Sequence, residues 1–177
     1  MMSNDKCYVG IDPGNFGYIC AQFEGDFKHY SIKDNDLYQL SDIMADIRLK
    51  YDNVVCVMEQ IHAIFGSSAK ATFSFGETFG KLQALLVANK IPYVLVQPKE
   101  WQKVMWTNAD MVVSYKQVKM KDKVVSKKVV DTKATSINAA KRLFPTIDFR
   151  KSERAKKIDD NKVDATLMSE YARRKNL

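Results

Sequence analysis

The chain has 177 residues, 46% of them hydrophobic, with 28 Lys and Arg against 21 Asp and Glu and a formal net charge of +7. That is the size of one compact domain with enough apolar residues for a packed core, which excludes wholesale disorder. The positive excess points to nucleic acid, an anionic membrane surface or acidic proteins as partners without choosing among them, and no apolar run approaches the roughly 18 residues of a membrane span.

The start, Met1 to Lys6, lacks a basic head followed by an apolar stretch, so the expectation is a soluble, intracellular protein. Three β-like runs follow, Cys7 to Asp12, Gly17 to Phe23 and Phe27 to Ile32, separated by turn-forming Asp12-Pro13-Gly14-Asn15 and Glu24-Gly25-Asp26. They read as an antiparallel meander. Leu37, Leu40, Ile43, Met44, Ile47 and Tyr51 then recur at helical spacing, with Asp34 or Asn35 as the expected cap. Val54 to Met58 is continuously apolar, reads as a strand covered on both faces, and ends on Glu59. After a Gly66-Ser67-Ser68 loop, Phe75, Phe79, Leu82, Leu85 and Leu86 mark a second helix, with Phe73 also expected in the core. Tyr93 to Val96 reads as another buried strand, and Trp101 and Trp106 as core anchors of the helix beside it.

From Met111 to Val130 lysines alternate with apolar residues, which fits a basic β-hairpin inserted at about 111–130. A helix from about Thr132 to Leu143 stops ahead of Pro145, and a last helix runs from about Asp159 to Arg173 with Val163, Leu167, Met168 and Tyr171 on its apolar side. No repeat or flexible linker divides the chain, so residues 1–177 are expected to form one domain. Cys7, Cys20 and Cys56 form no CxxC pair and lie in apolar runs, as buried reduced thiols do.

Four carboxylates stand where burial is expected. Asp12 and Glu59 close apolar strands, and Asp164 shares a helical face with the residues that dock the last helix. Asp160 and Asn161 lie four and three residues before Asp164, so either can point to the same place. If the two strands are neighbours and the helix crosses their ends, these acids converge, and they repel unless a cation or protons intervene. An all-oxygen donor set favours Mg²⁺, with Mn²⁺ as a substitute. In a basic protein such a site suits phosphodiester hydrolysis: one ion readies water and a second stabilises the departing oxygen.

Gly10-Ile11-Asp12-Pro13-Gly14, Val57-Met58-Glu59-Gln60 and Asp160-Asn161-Lys162-Val163-Asp164-Ala165 resemble, in order and spacing, the three signatures of RuvC-type Holliday junction resolvases, the phage-type members in particular. Gln97 to Trp101, Asp131-Thr132-Lys133 and Phe144-Pro145 also look like family stretches. The resemblance implies an α/β, RNase H-like fold: a five-stranded mixed sheet flanked by helices, the strand of Asp12 beside that of Glu59. It implies a homodimer that cuts opposing strands of a four-way DNA junction symmetrically, with two Mg²⁺ ions per site, in a bacterial or phage-infected host cytosol. Asp12, Glu59 and Asp164 carry over as catalytic metal ligands, with Asp160 as the expected fourth and Asn161 as its alternative. Relatives carry a junction-wedging aromatic at the position of His62; Phe65 is an equal candidate. Lys103 and Lys133 fall near positions where relatives carry basic residues close to the scissile phosphate.

Two other readings stand beside this one: a catalytically silent junction-binding protein and a general debranching nuclease. An actin-like ATPase also uses a GxDxG loop, but needs two copies of its fold. The charge is unevenly spread: segments 111–133, 150–157 and 173–175 together carry a net +12, so the remainder is acidic at −5.

Overall fold

The computed structural model describes residues 6–60, 68–120 and 123–177. Strands β1 (Lys6–Ile11), β2 (Tyr18–Phe23) and β3 (Asp26–Ser31) form the expected antiparallel meander. Helix α1 (Leu37–Lys50), β4 (Asn53–Glu59), α2 (Ala69–Ala88) and β5 (Tyr93–Val96) follow. The five strands make one mixed sheet in the order β3-β2-β1-β4-β5, in which β4 lies parallel to both β1 and β5.

The remaining helices are α3 (Pro98–Met105), α4 (Thr132–Leu143) and α5 (Asp160–Lys175). Strand periodicity divides the core between the two faces of the sheet. Cys7, Val9 and Ile11 of β1 pack with Met44 of α1 and Leu82 and Leu86 of α2. On the other face, Tyr8, Val55 and Val57 meet Trp101 of α3, Ala139 of α4 and Leu167 and Met168 of α5. The result is an α/β/α sandwich whose central strands are covered twice, as their unbroken apolar runs require. All three cysteines are buried and free.

Three local expectations are corrected. The cap of α1 is Asp36, not Asp34 or Asn35: its side chain accepts from Gln39 N–H while the Gln39 side chain accepts from Asp36 N–H, a reciprocal pair that needs this spacing. Strand β5 is the sheet's edge, where Val94 is 42% exposed and only Val96 is buried. Phe73, expected in the core, stands 75% exposed on α2, because the first half of that helix overhangs the sheet.

The basic segment pairs as expected: β6 (Val113–Met120) runs antiparallel to β7 (Lys123–Val130). It is a separate two-stranded ribbon with Tyr115, Val124, Lys116, Lys127 and Lys128 in solvent. Its base is tied to the body where Asp131 N–H donates to Val112 C=O and Val112 N–H to the Thr135 hydroxyl.

Candidate active site

Asp12 follows the last residue of β1, and a tight turn fixes its direction. Its N–H donates to Tyr18 C=O at 3.1 Å, and Gly17 N–H donates to Gly14 C=O at 2.8 Å. A Cβ on Gly17 would sit 1.9 Å from Asp12 O, so no other residue closes this turn unchanged. The Asp12 carboxylate then accepts from Gly14 N–H at 3.2 Å. Glu59 ends β4, and the parallel register that pairs Ile11 with Met58 places it beside Asp12 at the carboxyl ends of two adjacent strands.

Helix α5 brings the other two acids. It lies so close to β1 that a Cβ on Gly10 would be 2.1 Å from Ala165 O and 2.4 Å from Ser169 N. Glycine in the first signature is therefore a packing requirement: it lets the helix carry Asp160 and Asp164 to the strand ends. Asp159 caps the helix, accepting from the N–H groups of Asn161 and Lys162, and accepts a hydrogen bond from the Tyr18 hydroxyl at 3.2 Å.

The charges of neighbouring acids act on both Asp12 and Asp164. Burial, then the charges of Glu59, Asp160 and Asp159, push Asp12 up to about 7 against the pull of Gly14 N–H. Burial holds Glu59 above its usual range, opposed by the indole of Trp101, whose Nε1 donates to Oε1 at 2.9 Å. Asp164 is raised well above the ordinary carboxylate range by burial and by Asp12, Glu59 and Asp160, with the Ser136 hydroxyl opposing. Its Oδ1 is buried without a hydrogen-bond partner. Asp160 instead forms an ion pair with Lys133 Nζ at 2.6 Å.

Among the described residues no three Asp, Glu, His or Cys side chains are assembled so as to hold a metal ion. Each acid has its own donor: Gly14 N–H for Asp12, the Trp101 indole for Glu59, the Lys133 ammonium for Asp160 and the Ser136 hydroxyl for Asp164. The donor set nonetheless fits a hard divalent cation: the ligands are all oxygens, the acids repel one another, and a buried carboxylate oxygen lacks the partner that burial demands.

No protein-family profile and no curated protein matches the chain. Solved structures do. Thermus thermophilus RuvC, in complex with Holliday junction substrate, superimposes with a TM-score of 0.55 at 8% identity, over 96% of both chains. The fold is that of RuvC. It is the RNase H-like arrangement, and the share covered is nearly the whole chain. Thermus thermophilus RuvC alone gives 0.48 at 9% identity over 95% of each chain. The yeast mitochondrial Holliday junction resolvase Ydc2 gives 0.44 at 15% identity, over 94% of this chain and 78% of that one.

On this RuvC fold, Asp12 and Glu59 stand at adjacent strand ends, and the charges of Glu59 and Asp160 act on both Asp12 and Asp164. Of the two alternatives for the fourth acid, Asp160 acts by its charge on both Asp12 and Asp164, and Asp160 and Asn161 both line an adjoining cleft. Lys133, in the first turn of α4, reaches the acids, whereas Lys103 is exposed in the last turn of α3 and makes no ion pair among the described residues. His62 and Phe65 lie outside the described residues.

Sequence reasoning missed two supports, Ser136 and the indole of Trp101. Ser136 had a signal: Thr135 and Ser136 are polar residues on the buried side of a helix otherwise docked by Ala139 and Ala140. Trp101 looked like pure core, and it is fully buried, but its ring also carries a donor that a buried acid can use.

Proposed function

We propose that the chain is a divalent-metal-dependent, structure-selective endodeoxyribonuclease that resolves four-way DNA junctions by paired, symmetric phosphodiester hydrolysis. The observation that carries this reading is the unpartnered buried Oδ1 of Asp164, a carboxylate raised by the charges of Asp12, Glu59 and Asp160 on a RuvC fold. A module that only bound DNA would gain nothing from facing phosphates with such a cluster.

Asp12, Glu59, Asp160 and Asp164 are the residues that would hold Mg²⁺ or Mn²⁺, and two such ions would supply an activated water and offset the charge that develops on the departing 3′ oxygen. The protein's own groups do the positioning. Trp101 fixes one oxygen of Glu59, Gly14 N–H fixes Asp12, and Ser136 stands beside Asp164. Lys133 pairs with Asp160, and its ammonium would be available to face a phosphate if a bound cation offset that carboxylate.

Paired cutting needs two copies of the site, and α2 offers the surface for a second copy. Phe73, Gly76, Gly80, Ala84 and Val87 form one exposed stripe along this helix. A Cβ at Gly76 or Gly80 would meet nothing within 4 Å, so a second helix can approach closely there. Antiparallel pairing of two copies about Gly80 sets Phe73 of one against Val87 of the other, and Gly76 against Ala84. Among the described residues no helix is long and apolar enough to cross a membrane, and the proposed setting is a bacterial or phage-infected host cytosol, in DNA recombination and repair.

The experiment is incubation with a synthetic four-way junction, with Mg²⁺ and with EDTA. Metal-dependent cleavage, lost in Asp12→Asn while junction binding persists, supports the nuclease. Binding without cleavage under any divalent metal supports the silent binder. Scattered nicks on every branched DNA support a general debranching enzyme.

A further inference from the structure

A cleft of about 320 Å³ adjoins the four acids: Asp160 lines one end of it, and Asp12, Glu59 and Asp164 do not line it. One wall is basic: Lys33 from the segment after β3, with Lys151 and Lys157 from the segment before α5. The other wall carries Phe16, from the same turn that fixes Asp12. Tyr18 and Asp159, joined by their hydrogen bond, also line it.

Phe16 is out of place for an apolar side chain. It is 62% exposed although its neighbours at 17–20 are buried, and Lys33 Nζ stands 4.6 Å from its ring centroid. That cation–π contact orients the ring without covering it. Of the three lysines, Lys151 reaches Asp34 at 3.2 Å through two half-exposed side chains, a pair of little worth in water. Lys33 and Lys157 have no carboxylate partner among the described residues.

An aromatic platform beside unneutralised cations suits single-stranded nucleic acid: the ring stacks a base and the ammonium groups hold phosphates. The volume lies at the lower end of the roughly 300–1,000 Å³ of small-ligand pockets, room for a nucleotide rather than a duplex. The cleft also borders a proposed metal ligand, so a nucleotide in it continues into the reacting phosphodiester.

We propose that this cleft receives an unstacked nucleotide next to the scissile phosphodiester, its base on Phe16 and its phosphates on Lys33, Lys151 and Lys157. The proposal rests on the nuclease reading and adds a feature of substrate selection. A nucleotide is extruded most cheaply where pairing is already interrupted. A branch point supplies that interruption and continuous duplex does not, so the cleft favours branched DNA by stacking and phosphate contacts that add to what the metal site contributes.

The test uses Asp12→Asn protein, which does not cut, with a synthetic four-way junction bearing 2-aminopurine at nucleotides around the branch point. Affinity is measured across a salt series alongside fluorescence. Adding Phe16→Ala is expected to weaken junction binding by about tenfold, to abolish the stacking-dependent fluorescence change and to leave the salt slope unchanged. Adding Phe16→Trp is expected to preserve both signals. Adding Lys33→Ala with Lys157→Ala is expected to lower the salt slope by about two. Unchanged affinity and fluorescence with Phe16→Ala, in a parent that still binds junctions, would overturn this inference alone. A parent that does not prefer junctions to duplex would overturn the nuclease reading together with it.

Discussion

Asp12 is held in tension: the turn that aims it also presses it toward Glu59, Asp160 and Asp159, and without a cation the group prefers its proton up to about pH 7. Asp12→Asn removes that cost along with the ligand. Cleavage is expected to fall by about a thousandfold or more, while the melting temperature in EDTA stays level or rises; Mg²⁺ is expected to stabilise the parent and not the variant. His29 works in the opposite direction. Burial and the charge of Lys162 lower it to about 4, and its Nε2 lies 2.7 Å from the Thr166 hydroxyl. The unfolded chain takes up this proton near pH 6.5 and the folded one only near pH 4, so His29 costs stability progressively as pH falls between those values. Denaturant melts of parent and His29→Gln at pH 7.5 and pH 4.5 are expected to show a smaller acid loss in the variant. An equal loss in both would remove His29 from this account.

At the scale of elements, the junction of β1 and α5 decides whether there is a site at all. Gly10→Ala drives a methyl group into Ala165 O and Ser169 N, both backbone atoms with no freedom to swing aside. Inserted methylenes typically cost about 1–3 kcal/mol in a packed core, and a backbone collision belongs at the upper end or beyond. A thermal melt is expected to show that loss, with residual cleavage reduced even where the protein stays folded, because α5 carries Asp160 and Asp164 outward. Much of this architecture was legible in the sequence. Short β-like runs between turn residues marked the meander, a continuous apolar run marked β4, and the four-residue step from Asp160 to Asp164 put both acids on one helical face. What escaped has physical reasons. The apolar run of β5 shows that it pairs but not that a layer covers it, so an edge strand looked buried. Phe73 resembled its neighbour Phe75 because helical spacing alone does not tell where a helix overhangs its sheet. The cleft of Phe16, Lys33, Lys151 and Lys157 joins segments far apart in the chain, and no local pattern announces it.

For the whole molecule, the division into an acidic body and basic attachments takes a spatial form. The body presents acids at the strand ends, the 150–157 segment brings lysines to the cleft beside them, and the ribbon β6–β7 projects Lys116, Lys127 and Lys128 into solvent. The bare stripe on α2 is where the proposed second copy would sit. Gly80→Glu puts a charge where the two helices would cross, and light scattering is expected to show a monomer that keeps its fold and nicks one strand at a time. The central claim is tested most directly by mapping the cuts on a four-way junction labelled in turn on each of its four strands, in Mg²⁺. The account predicts paired nicks on opposing strands, related by two-fold symmetry and absent in EDTA. Cuts that persist in EDTA, or nicks scattered without symmetry, would contradict it.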